Sequence, residues 1–211
     1  MEQLTTGAFY HTQISMDQAH NGHFYYSFKT VVPVDIAYTT ARDGIYSLAA
    51  FLPNIVSIEP VERKTVGDRT YIVNKIQGRS IIPDIIDEII KVSDLAWLDN
   101  NEWLDKEYAC NWFYEPFVFK EYIRVNGRTD MSTDGTLTTM RVTGDIHVNF
   151  LNYPLVPAGL KDKINDDITK VLRTLIGSNY TALIKGIEQY AVGNRPTVPG
   201  RQPPSPGIRP K

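Results

Sequence analysis

The apolar positions change their period along the chain. From about residue 160 to 191, Leu160, Ile164, Ile168, Val171, Leu172, Leu175 and Ile176 recur at three- and four-residue spacing, the stripe of one helical face. Tyr180, Leu183, Ile184, Ile187 and Ala191 continue on a stripe turned by roughly 100°. Gly177 lies at the break, so the pattern reads as one long helix, bent or locally rewound there. Such a helix needs a large apolar partner. The chain before it reads as strands, so the partner is a sheet.

Residues 23–32 (HFYYSFKTVV) are aromatic and β-branched and form strand one, ended by Pro33. Residues 35–41 and 45–52 read as two short helices, stopped by Arg42-Asp43-Gly44 and by Pro53-Asn54. Residues 55–63 and 69–77 form a hairpin around Val66-Gly67-Asp68. In IIPDIIDEIIK, Ile85, Ile86, Ile89 and Ile90 share one helical face, opposite Asp84, Asp87, Glu88 and Lys91. Pro83 suits its first turn, and the segment is a third short helix, either a packed crossover or a mobile lid. Residues 95–104 and 108–115 are strands four and five and carry all three tryptophans, Trp97, Trp103 and Trp112. Residues 119–130 are strand six. Residues 136–150 are strand seven, with Met140, Val142, Gly144, Ile146, Val148 and Phe150 on its buried face.

Composition adds boundaries. Residues 1–22 are polar and aperiodic and read as an arm; residues 23–192 form the domain; residues 193–211 hold six prolines and read as a disordered, basic tail. The PxxP spacings there match aromatic-groove ligands, though a solvated tail is the simpler reading. The net charge of −2 argues against nucleic-acid binding through phosphate neutralisation. The single cysteine, Cys110, allows no internal disulfide and fits a reducing compartment. The first residues lack a basic start and apolar run, and no window approaches a membrane span. The expectation is a soluble, cytoplasmic protein of unassigned oligomeric state, with transient membrane contact left open.

Catalytic signatures are sparse. His11, His20, His23 and His147 show no metal-ligand spacing, and no cofactor fingerprint is present, so the expected cofactor set is none. Cys110 falls within a strand, where a small buried hydrophobe is expected rather than a nucleophile. Asn179-Tyr180-Thr181 matches a glycosylation sequon but lies inside the long helix and is discounted. The remaining acids on strands are Asp99, Glu102, Glu115 and Glu121. Glu121 shares parity with Phe119, Ile123 and Val125 on the more apolar face, and there it would orient a ligand's polar end or act as an acid of raised pKa. Asn100 and Asn101 remain ambiguous. The aromatics of strands one, four and five, including Tyr26 and Phe28, would together line the face toward the helix.

Strand, two short helices, six strands and a long C-terminal helix is the helix-grip order. With VPVDIAYTTARDGIYSLAAFLPNIVSIEPVER, DRTYIVNKIQGR and LAWLDNNEWLDKEYACNWFYEP, the chain resembles the START-like (SRPBCC, polyketide cyclase/dehydrase and lipid-transport) superfamily over residues 23–191. IIPDIIDEII also looks like the lid helix of mitochondrial PRELI-type phospholipid-transfer proteins. The resemblance implies an α+β helix-grip fold, with a curved seven-stranded antiparallel sheet wrapped around the long helix. It implies a cavity for a hydrophobic small molecule such as a lipid, isoprenoid or polyketide.

The first expectation is noncatalytic binding or transport. The cavity would be lined by Phe28, Trp97, Trp103, Trp112, Tyr114, Glu121, Ile123, Met140 and Val142 of the sheet. The long helix would add Ile164, Ile168, Leu172, Leu175 and Ile176, and the lid Ile85 and Ile89. The alternatives are a cyclase or aromatase using a cavity carboxylate such as Glu121, and an interaction module with a packed core.

Overall fold

A computed structural model describes residues 22–79, 95–191 and 193. The polar arm, the segment read as a lid (with Ile85 and Ile89) and the proline-rich tail beyond Gly193 lie outside the described residues.

Strand β1 (His23–Thr30) alternates, burying Phe24, Tyr26, Phe28 and Thr30. Helix α1 (Val34–Asp43) follows Pro33 and buries Ala37, Tyr38, Thr40 and Ala41; the Gly44 amide closes it on the Thr40 carbonyl. The second short helix is split into α2 (Ile45–Leu48) and a 3₁₀ turn (Ala49–Phe51). Pro53 explains the split: it holds Leu52 extended, and the last turn tightens to end there.

The strands β2 (Ile55–Val66), β3 (Arg69–Gly78), β4 (Leu95–Leu104), β5 (Ala109–Pro116), β6 (Ile123–Thr133) and β7 (Thr138–Val148) complete one antiparallel sheet. Its order is β1-β7-β6-β5-β4-β3-β2. β2 runs further than its pattern indicated and carries Pro60, which the sheet tolerates because β2 is an edge strand with register shifts beside the proline.

β6 begins four residues later than expected. Phe119 sits in the left-handed region at φ 61°, and the Tyr122 and Ile123 amides donate to its carbonyl, making a turn of residues 117–122. The Phe119 ring offsets that strain by packing against Phe150 and Tyr153.

Helix α3 (Lys161–Ala191) crosses the concave face as 31 unbroken α-helical residues. The rewinding expected at Gly177 is absent. A Cβ there would lie 3.1 Å from the Tyr26 ring, whose hydroxyl donates to the Arg173 carbonyl at 2.7 Å. Gly177 therefore serves close approach of α3 to β1, as Gly186 does toward Leu48 and Phe51. The main core joins β1, β7, α1 and the C-terminal half of α3; a second cluster joins Phe150 and Val156 to Ile164 and Ile168. No helix among the described residues is long and apolar enough to cross a membrane.

Candidate functional site

Alternation on β3, β4 and β5 sends Ile72, Asn74 and Ile76, then Trp97, Asp99, Asn101 and Trp103, then Cys110, Trp112 and Tyr114 to the cavity between sheet and helix. Register sets them in rows. Asn74 pairs with Asp99 and Asp99 with Tyr114; Asn101 pairs with Trp112, and Trp103 with Cys110. Trp112 lies over Gly127, where a Cβ would meet its ring at 2.4 Å, and its Nε1–H donates to Thr129 Oγ1 at 3.1 Å. Thr129 Oγ1 also lies 3.1 Å from the Tyr180 hydroxyl, which ties the sheet to α3.

The cavity is about 110 Å³. That is several times the ~30 Å³ share of a water in liquid. Asn179, Tyr180 and Leu183 of α3 form its roof, and Ala41, Arg42 and Ile45 one end. A groove of about 610 Å³ beside α3 and a depression of about 550 Å³ that includes Tyr71 and Phe113 are larger and more open. Neither brings a buried carboxyl together with aromatic walls.

Asp99 is the polar centre. It is half-buried by surface area because it lines the cavity, yet protein encloses it. Burial pushes its pKa up to about 6, against the amides of Asn101 and Asn74, which favour the ionised form. Asn74 is itself buried, and its Oδ1 accepts the Tyr46 hydroxyl at 2.8 Å. The Cys110 thiol is raised well above its ordinary value, first by burial and then by Asp99 and Glu102, and its Sγ–H points to Asn101 Oδ1 at 3.5 Å. It is held as a thiol, as the sequence indicated, and not as a nucleophile. Burial likewise raises the Tyr114 and Tyr180 phenols, so both remain neutral. Arg42 borders the cavity, but its guanidinium is paired with Asp43 and Asp105. No group of three metal-ligating side chains occurs among the described residues.

Of the residues expected at the site, Trp97, Trp103, Trp112, Tyr114 and Met140 are on the cavity wall. Phe28 and Val142 are fully buried in the core, where Phe28 stacks on Tyr180. Ile123 bridges the two core clusters. Glu121 is exposed in the 117–122 turn, because the strand that would have turned it inward starts only at Ile123. The helix residues are displaced as a group. Ile164 and Ile168 pack on Phe150 and Val156, Leu172 and Ile176 pack in the core, and Leu175 is half-buried away from the cavity wall. The roof lies about one to two turns further along, at Asn179, Tyr180 and Leu183.

Asp99 and Asn74 were missed as site residues. A signal existed: Asp99 and Asn101 share parity with Trp97 and Trp103, so a polar pair sits within an aromatic face.

No protein-family model matches the sequence, and no curated protein matches it. Solved structures do. A Thermus thermophilus protein is 19% identical with a TM-score of 0.55, covering 81% of this chain and 97% of its own. The Zhui aromatase/cyclase from Streptomyces sp. R1128 is 14% identical with a TM-score of 0.62, covering 82% and 96%. A START superfamily protein from Mycobacterium smegmatis is 12% identical with a TM-score of 0.53, covering 81% and 99%. The chain has the helix-grip fold of START-like proteins.

Proposed function

We propose that the chain binds a small hydrophobic molecule between the concave face of the sheet and α3, with the polar end of that molecule at Asp99. The observation that carries this reading is the cavity of about 110 Å³, walled by Trp97, Trp103, Trp112 and Tyr114 around one buried carboxyl. A packed interaction module would fill that volume with side chains, since interiors close to crystal density leave few voids larger than a water. Apolar burial drives binding at ~25 cal/mol per Å², less ordering costs. The fold likeness to an aromatase/cyclase and to a START superfamily protein supports a ligand cavity and leaves the ligand open.

The test is native mass spectrometry of the purified full chain, with extraction and identification of any bound molecule, beside Leu183→Trp. Leu183 is half-buried on the roof, so an indole there fills the cavity. A discrete adduct lost in a folded Leu183→Trp protein is expected. An adduct unaffected by that filling places the ligand elsewhere.

Asp99 gives a second reading, proton transfer of the aromatase/cyclase kind, because a carboxyl with a pKa of about 6 exchanges protons readily near neutrality. Exchange of the α-hydrogens of 1-tetralone in D₂O, catalysed by the wild type and lost in Asp99→Asn, is its expected result. Equal exchange by both proteins removes it.

A further inference from the structure

Among the described residues, Asp99 is a buried carboxyl without a counter-cation. Burial opposes its charge, and the groups acting in its favour are the amides of Asn101 and Asn74. Each neighbouring element, among the described residues, leaves that charge uncompensated. β5 contributes Cys110 and Tyr114 and α3 contributes Tyr180, all held in their neutral forms. α2 contributes Tyr46, whose hydroxyl is engaged by Asn74. β2 contributes Ile55 and Ile58, and its cation Arg63, which acts on Tyr46, is paired with Asp43. α1 contributes a cation, Arg42, but Asp43 and Asp105 already take its charge.

A neutral apolar ligand would leave this carboxylate as poorly compensated as before and would strip its remaining water. A protonated amine would supply the missing charge at hydrogen-bond range. The carboxylate's desolvation, normally a cost of forming a buried ion pair, is already largely met in folding. The surrounding indole and phenol rings add a second source of affinity for an organic cation, since their π systems attract positive charge.

We infer that the cavity selects a small organic amine in its protonated form, with the Asp99 carboxylate as anionic partner and Trp97, Trp103, Trp112 and Tyr114 enclosing its apolar part. The inference rests on the cavity being the ligand site, and it names the class of ligand that the site takes.

All three tryptophans of the chain line the cavity, so intrinsic fluorescence reports its occupancy. The probes are phenethylamine and 2-phenylethanol, nearly isosteric and differing in charge. Each is titrated into the full chain at pH 7.5 and pH 5 and into Asp99→Asn at pH 7.5. At pH 7.5 the amine is expected to bind at least about ten-fold more tightly than the alcohol. At pH 5, where the carboxyl takes up its proton and the amine keeps its own, that preference shrinks. Asp99→Asn abolishes that preference.

Equal affinities in the wild type, or a preference that survives Asp99→Asn, overturn the inference and leave the cavity reading standing. Failure of both probes to bind overturns the cavity reading and the inference with it. If Asp99→Asn does not fold, the comparison of two probes at two pH values in the wild type still decides.

Discussion

Asn74 on β3 stands directly across the ladder from Asp99 on β4, and its Oδ1 is occupied by the Tyr46 hydroxyl at 2.8 Å. With its oxygen taken, Asn74 presents its NH₂ to the carboxyl and favours the ionised form. Replacing Asn74 with Leu removes that donor. The Asp99 pKa is expected to rise above about 6, read from the carboxyl ¹³C shift in a pH titration. An unchanged midpoint would show that the amide does not act on Asp99.

Asp99 also makes stability depend on pH. Its folded-state pKa of about 6 exceeds the ~3.9 of an unfolded aspartate, so the folded chain holds the proton more tightly. Stability is therefore lost as pH rises from about 4 to about 6. Asp99→Asn lacks this loss, and its advantage over wild type is expected to grow across that window by about 2–3 kcal/mol. Urea denaturation at pH 4, 5, 6 and 7 measures it; parallel curves for the two proteins would refute the shift.

Glu188 on α3 is 6% exposed, and among the described residues neither carboxylate oxygen has a hydrogen-bond partner, although the Thr30 hydroxyl is nearby and favours the ionised form. Burial raises its pKa. Glu188→Met is expected to stabilise the fold by about 1–3 kcal/mol at pH 7.5, because an unsatisfied polar group leaves the interior. The gain diminishes as pH falls through the raised pKa, where wild type protonates. A destabilised Glu188→Met protein would mean that the carboxylate has a partner worth more than its burial costs.

Gly177→Ala sets helix propensity against packing. Alanine is favoured over glycine by about 1 kcal/mol inside a helix. Here its Cβ meets the ring of Tyr26, which is 3% exposed and fixed by its bond to the Arg173 carbonyl. The ring must shift by a few tenths of an ångström and stretch that bond, so a net loss of up to about 1 kcal/mol is expected in thermal or urea unfolding. A gain would show that β1 and α3 separate freely at this point.

Cys110 is 2% exposed with its pKa raised by burial. Alkylation by iodoacetamide at pH 8 is expected to be much slower in the native chain than in urea, because the native thiol stays protonated. Labelling as fast in the native chain as in urea would show that burial does not hold the proton on Cys110.

The sequence by itself determined the order of the described elements, most strand positions and the burial parity of β7, and that order carries the resemblance to the helix-grip fold. Those properties are local, since a period of two or of 3.6 is written into neighbouring residues wherever the partner lies. It also placed the tryptophans of β4 and β5 on the inner face. Tertiary structure decided the rest. Which part of a 31-residue helix roofs the cavity depends on how the curved sheet meets it, so the stripe of Ile164, Ile168, Leu172 and Ile176 went to core packing and Tyr180 and Leu183 took the roof. Glu121 lost its inward place to one left-handed residue, Phe119, whose strain is offset by aromatic neighbours distant in sequence. Asp99 became the polar centre because its charge is governed by burial, by the Asn101 amide two residues along its own strand and by the cross-strand amide of Asn74. Burial and the Asn74 amide come from residues brought together only by the fold.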